Sequence, residues 1–81
     1  MLLKRLLTRP LDPPEITIEF DRETYRVRLQ RHRQARRYTL RVQSIAREIV
    51  LTMPPRGSVK EARAFAQKHG AWIAARLKKL P

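Results

Sequence analysis

The chain has 81 residues and carries 19 lysines and arginines against 7 aspartates and glutamates, a formal net charge of +12. This length predicts one domain with a modest core, because a domain this small buries only about 60% of the surface of its unfolded chain. The absence of cysteine excludes disulfides and thiolate metal ligands and favours the cytoplasm, and no apolar run approaches the ~18 residues of a membrane span.

Residues 1–14 are predicted to form a flexible tail, and residues 15–81 a single domain. Pro10, Pro13 and Pro14 favour extended, irregular backbone, since proline lacks an amide donor and restricts the residue before it. The leucines of the first ten residues surround basic side chains, but this stretch is too short for a signal peptide. A membrane is therefore not expected among the partners.

Four segments are predicted strands, and the first three alternate apolar and polar residues with the period of two that is typical of half-buried strands. They are EITIEF (15–20), YRVRLQR (25–31), RYTLRVQ (37–43) and EIVLTM (48–53), with a turn predicted at DRET (21–24). The pattern predicts a four-stranded antiparallel β-meander with one apolar and one polar face.

A helical pattern follows Pro54 and Pro55. Ser58 and Glu61 match the capping box S-x-x-E, and apolar residues then recur at spacings of three and four up to residue 80. Gly70 costs about 1 kcal/mol relative to alanine within a helix. Because the apolar stripe stays in phase across it, the sequence predicts one long C-terminal α-helix. This helix should pack on the apolar sheet face in an α+β domain of order β-β-β-β-α.

No catalytic or metal-binding residue is assigned. The chain contains no H-E-x-x-H and no phosphate-binding glycine loop, and its histidines are His32 and His69. His69 lies on the apolar helical stripe, where a half-buried packing role is favoured over a role as metal ligand.

Arginines are concentrated between residues 26 and 41. Six of them are candidates for contact with a polyanion or another domain: Arg26, Arg28, Arg33, Arg36, Arg37 and Arg41. The planar guanidinium suits phosphates and carboxylates equally. Sheets that bind single strands add aromatic platforms on the same face, whereas Tyr25 and Tyr38 fall on the apolar face. Base reading is therefore disfavoured, while nonspecific phosphate binding and a merely solvated surface both stay open.

The order of several residues resembles the N-terminal region of the YgjP-like zinc metallopeptidases, relatives of the SprT-like proteins. That region reads approximately R-x-[SA]-x-R-[RK]-x-x-L-R-V, then a strand ending in V-P-P, then a helix with F and W-I-x-x-x-L. The matching residues here are Ala35, Arg36, Arg37, Leu40, Arg41, Val42, Pro54, Pro55, Phe65, Trp72, Ile73 and Leu77. The resemblance covers about residues 25 to 80.

The resemblance implies that the chemistry lies downstream, on a helix bearing H-E-x-x-H that would hold zinc. The 81 residues are then expected to be a noncatalytic accessory domain, excised or naturally truncated, of a metal-dependent hydrolase. Its catalytic domain would be the partner, and zinc would belong to the full-length protein. The alternative is a small basic module that binds nucleic acid through its arginines.

One residue is a candidate for the contact with that catalytic domain. Trp72 lies at the edge of the helical stripe, about 100° from Ile73. A tryptophan in this position either covers the rim of the core or, with Ala71 and Ala75, forms an apolar surface left by a lost interface.

Overall fold

The four predicted segments form four strands in the computed structural model, which describes residues 12–81. The strands are β1 (Glu15–Phe20), β2 (Glu23–Arg31), β3 (Thr39–Gln43) and β4 (Glu48–Met53). β1 and β4 have the predicted bounds, while β2 begins two residues earlier than predicted and β3 two residues later. Of the predicted tail, residues 1–11 lie outside the described residues. The Pro14 carbonyl accepts a hydrogen bond from the Leu29 N–H at 3.0 Å.

The β1–β2 hairpin turns through two residues, Asp21 and Arg22, between the paired Phe20 and Glu23. Both turn residues have positive φ, 53° and 67°. That combination matches a type I′ turn, whose twist suits a right-handed hairpin. The predicted turn is therefore confirmed.

The predicted antiparallel meander is wrong. The strand order is β1-β2-β4-β3, and β4 runs parallel to β2 and antiparallel to β3. β4 is apolar on both faces, since Ile49, Leu51 and Met53 face the helices and Val50 lies on the opposite face. A strand that is apolar on both faces is most stable between two neighbours, which accounts for its inner position. The connection from β2 to β3 spans residues 32–38, longer than a hairpin loop, and leaves room for β4 to insert.

The prediction of one long helix is also wrong. Two helices, α1 (Val59–Lys68) and α2 (Gly70–Lys78), meet at His69, whose φ of −102° and ψ of 22° leave the helical region. Gly70, the first residue of α2, lies close to Phe20. A Cβ added there would lie 3.0 Å from Cβ and Cδ1 of Phe20. Glycine therefore lets the second helix approach the end of β1, and this tertiary contact is not visible in helical periodicity.

The start of α1 is capped as predicted, with one change. The Ser58 hydroxyl accepts a hydrogen bond from the Glu61 N–H at 3.0 Å. In a capping box the glutamate would bond back to the serine amide. Here the Tyr38 hydroxyl takes that place, accepting from the Ser58 N–H at 3.0 Å and donating to Glu61 Oε1 at 2.6 Å. The segment before β3 is thereby tied to the first turn of α1.

The core lies between one face of the sheet and the two helices. Its buried members are Ile16, Ile18, Val27, Ile49, Leu51, Met53, Ala62, Ala66 and Ile73. Phe65 and Leu77 are only partly buried at its margin. Within residues 12–81, no helix is long and apolar enough to cross a membrane.

Candidate functional site

Arg31, at the end of β2, supports the fold and is not one of the six candidate arginines. Its Nε and Nη2 donate to the Asp12 carboxylate at 2.9 and 3.0 Å. Its Nη1 donates to the carbonyls of Pro54, Pro55 and Gly57 at 3.1, 2.8 and 2.8 Å. The hydrogen bond from Arg31 lowers the pKa of Asp12. The guanidinium therefore fixes the turn that leads from β4 into α1.

Two of the six candidates are paired with carboxylates of their own chain. Arg26 donates to both oxygens of Glu15 at 3.1 and 3.3 Å, and Arg28 donates to both oxygens of Glu48 at 3.1 and 3.2 Å. The arginine side chains are 75% and 59% exposed, so these pairs contribute little to stability. A polyanion would have to compete with the carboxylates at both positions.

The other four candidates have no such partner. Within residues 12–81, no carboxylate lies at ion-pair distance from Arg33, Arg36, Arg37 or Arg41. Three of them lie in the connection 32–38, and the fourth lies on β3. The register places Arg28 and Arg41 on either side of Val50. Val50 is 2% exposed although it lies on the face away from the helices. As predicted, Arg26, Arg28 and Arg41 share this face of the sheet.

An exposed apolar groove opens on the helical side of β3. It is lined by Leu40, Phe65, His69 and Trp72. Trp72 is 39% exposed, and the guanidinium of Arg76 lies 5.4 Å from its ring centroid, within cation–π range. His69 packs against Phe65 with ring centroids 4.6 Å apart. Trp72 thus belongs to a surface groove and is not enclosed in the core.

The helical residues of the groove form a stripe of their own, which periodicity alone does not separate from the core stripe. Phe65, His69 and Trp72 are spaced by four and three residues, as are the buried Ala62, Ala66, Gly70 and Ile73. The two stripes lie side by side: the second is buried against the sheet, and the first borders β3 at the groove. Ala71 and Ala75 are separated from Trp72, because they line a different groove with Phe20 and Tyr25.

The two edges of the sheet are covered differently. On β1, the Gln67 side chain hydrogen-bonds both the N–H and the carbonyl of Glu19, and Arg63 donates to the Thr17 carbonyl at 2.9 Å. On β3, the only strand partner is β4, and no hydrogen bond from residues 12–81 reaches its outer edge. The open edge of β3 runs beside the groove that contains Leu40.

The residues that the structure describes do not assemble a metal site. No three histidine, aspartate or glutamate side chains among residues 12–81 are grouped to hold an ion. His32 lies just beyond β2, where its Nδ1 accepts the Gln34 N–H at 3.1 Å, and His69 packs in the groove. This donor set does not fit a zinc ion, and the resemblance places zinc on the downstream H-E-x-x-H helix.

Comparisons of the chain with protein-family models, with curated proteins and with solved structures returned no match.

Proposed function

We propose that residues 15–81 form a noncatalytic accessory domain of a cytoplasmic, zinc-dependent hydrolase of the YgjP-like kind. The catalytic part, with its H-E-x-x-H motif, would lie outside these 81 residues. The support for this proposal is the ordered set of residues from Ala35 to Leu77 that resembles the N-terminal region of that family. This domain supplies no zinc ligand, and its role is to contact and orient the catalytic part.

One structural observation carries the proposal. Three residues of the resemblance, Leu40, Phe65 and Trp72, line a groove that the core does not enclose. Exposed apolar surface rimmed by polar residues is typical of protein interaction sites. A domain that only had to fold would not need Trp72, the sole tryptophan, at this position. The catalytic part is the partner proposed for the groove.

The proposal is tested first by reading the gene beyond residue 81. An H-E-x-x-H motif is expected within about 150 codons, and a reading frame without one would contradict the proposal. The 81 residues alone are expected to take up no zinc in equilibrium dialysis. One zinc ion bound tightly per chain would also contradict the proposal.

A binding experiment tests the groove. The catalytic part, added to the 81-residue chain, should shift Trp72 emission to the blue as water is excluded from the indole. Trp72→Ser should abolish binding in calorimetry. Ile45→Ser is the matched control, since Ile45 is 99% exposed in the loop between β3 and β4. Equal affinities of the two variants would exclude the groove as the interface.

A second candidate function is nonspecific binding of nucleic acid. It is favoured by Arg33, Arg36, Arg37 and Arg41, for which the described residues provide no carboxylate. Phosphate contacts release counterions, so the affinity for a fluorescein-labelled DNA should fall steeply with salt. The double variant Arg36→Gln/Arg37→Gln should reduce this salt slope by about 2, with Arg26→Gln/Arg28→Gln as the control of equal charge. No binding at low salt would eliminate this candidate.

A further inference from the structure

The outer edge of β3 and the adjacent groove form one continuous surface. β3 presents Leu40 and Val42 on the side of the helices and Thr39, Arg41 and Gln43 on the opposite face. Main-chain groups along this edge have no partner within residues 12–81, whereas the β1 edge is covered by Arg63 and Gln67. Unpaired strand edges are templates for the addition of another strand.

The charges around β3 indicate which kind of strand could be added to its edge. Arg36 and Arg37 directly precede Tyr38, whose ring lies 5.8 Å from that of Phe65 at the groove. The guanidinium of Arg76 lies over the ring of Trp72, which also lines the groove. Of the nearby carboxylates, Glu48 is paired with Arg28, and Glu61 hydrogen-bonds Tyr38 but keeps its charge, so the arginines around β3 outnumber it. A segment that approaches β3 therefore meets positive charge.

A second copy of this chain is a poor occupant. β3 spans residues 39–43, so a symmetric antiparallel pairing about its middle residue would set Arg41 opposite Arg41 of the other copy. Like charges directly opposite each other across strands are destabilising. Two chains that each carry a charge of +12 also repel one another at long range.

We infer that β3 adds an extended acidic strand from its partner, with acidic and apolar residues in alternation. Apolar side chains of that strand lie over the groove beside Leu40 and Trp72, and a carboxylate lies beside Arg41 on the opposite face. This inference rests on the proposed function, because it gives the chemistry of the partner that the proposed function places at the same groove. Its test does not require the hydrolase.

The probe is a synthetic peptide, acetyl-DVEIEVD-amide, titrated into the 81-residue chain with Trp72 fluorescence as the readout. Binding should shift the emission to the blue and slow hydrogen exchange of the amides of residues 39–43. The peptide acetyl-KVKIKVK-amide should bind at least tenfold more weakly, since each 1.4 kcal/mol changes affinity tenfold. Equal binding of both peptides would overturn the inference, as would a dye-labelled oligonucleotide that protects the same amides.

Two further arms separate strand addition from simple charge attraction. A peptide that is N-methylated at two adjacent central residues keeps every side chain but lacks an amide donor toward β3 in either register, and it should lose most of the affinity. If it binds as well as the parent peptide, no strand is added. Arg41→Glu should weaken the acidic peptide roughly tenfold and strengthen the lysine peptide. Arg26→Glu changes the net charge equally but lies on β2, and it should leave both affinities nearly unchanged.

The outcomes distinguish this inference from the proposed function. If the catalytic part binds and shifts Trp72 while the acidic peptide fails in every arm, the accessory role stands and strand addition is wrong. If the peptide binds as expected while the gene encodes no H-E-x-x-H, strand addition stands and the hydrolase is wrong.

Discussion

Arg31 differs from the other exposed arginines in the number of acceptors around its guanidinium. It bonds a carboxylate and three main-chain carbonyls of one turn, whereas Arg26 bonds only Glu15 among residues 12–81. The Pro54 carbonyl also accepts from the Gly57 N–H at 3.0 Å, so Arg31 adds to a turn that already has one main-chain hydrogen bond. Nothing in the sequence around Arg31 indicates this role, because Asp12 and the turn after β4 converge on it only in the fold.

We predict that Arg31→Lys lowers the free energy of unfolding by about 1–2 kcal/mol, since an ammonium group cannot reproduce the planar fork. Arg26→Lys is the matched control and should change it by less than about 0.5 kcal/mol. Urea denaturation at pH 7 measures both. Equal losses would show that the carbonyls around Arg31 add nothing to an ordinary surface ion pair.

At the scale of single elements, periodicity and capping located the strands and the start of the helix. Ser58 was identified because its hydroxyl acts on an amide three residues away, which is local chemistry. Periodicity does not indicate the break at His69, nor the close approach of Gly70 to Phe20, fifty residues earlier in the chain. The groove was missed because two adjacent stripes on one helical surface look like a single wide one.

The contact between Gly70 and Phe20 gives a prediction about α2. Alanine is favoured over glycine in a helix by about 1 kcal/mol, but at position 70 its Cβ would press on the Phe20 ring. Gly70→Ala should therefore bring no gain in stability in the natural chain. A Phe20→Ala background removes the ring but keeps the Cβ 3.0 Å away, so there the same change should recover a part of this ~1 kcal/mol.

Chemical denaturation of the four chains in this double-mutant cycle gives the coupling energy. Ala71→Gly, at an exposed position of the same helix, calibrates the helix preference. If Gly70→Ala stabilises the natural chain as much as the Phe20→Ala chain, close packing against Phe20 does not explain the glycine.

The contact between Tyr38 and α1 gives a prediction about pH. The hydrogen bond from Tyr38 lowers the pKa of Glu61, while burial and the same bond raise the pKa of Tyr38. A carboxyl with a lowered pKa stabilises fully above its unfolded pKa of about 4.3, and this stabilisation is lost as pH falls through the folded value. For Tyr38 the stabilisation is complete below its unfolded pKa and is lost as pH rises through the raised value.

Tyr38→Phe should therefore destabilise most between about pH 5 and 9, with the difference from the natural chain shrinking at both extremes. Urea midpoints across the pH range measure it. Tyr25→Phe serves as control, since no hydrogen bond joins the Tyr25 hydroxyl to any other part of residues 12–81. A difference that is constant with pH would mean that Tyr38 acts only through packing.

For the whole molecule, alternation identified the strands but not their neighbours. A period of two marks which side chains face the core and is the same for an edge strand and an inner one. The signal for the inner position was in β4 itself, where Ile49, Val50 and Leu51 are consecutive apolar residues. The candidate site could be predicted only as a set of arginines and one tryptophan. Its division into paired and unpaired arginines depends on the strand order.

The excess of positive charge gives a prediction for the whole chain. With 19 basic against 7 acidic residues, self-repulsion opposes the compact state. Three ion pairs within residues 12–81 offset only a part of it.

Raising NaCl from about 10 to 150 mM shortens the Debye length from ~30 to ~8 Å. If this stabilises the fold by about 1 kcal/mol, the melting temperature rises by roughly 4–8 °C. Arg33→Glu/Arg36→Glu lowers the net charge by four and should reduce the rise. A melting temperature that falls with added salt would mean that attraction within the ion pairs outweighs repulsion among the arginines.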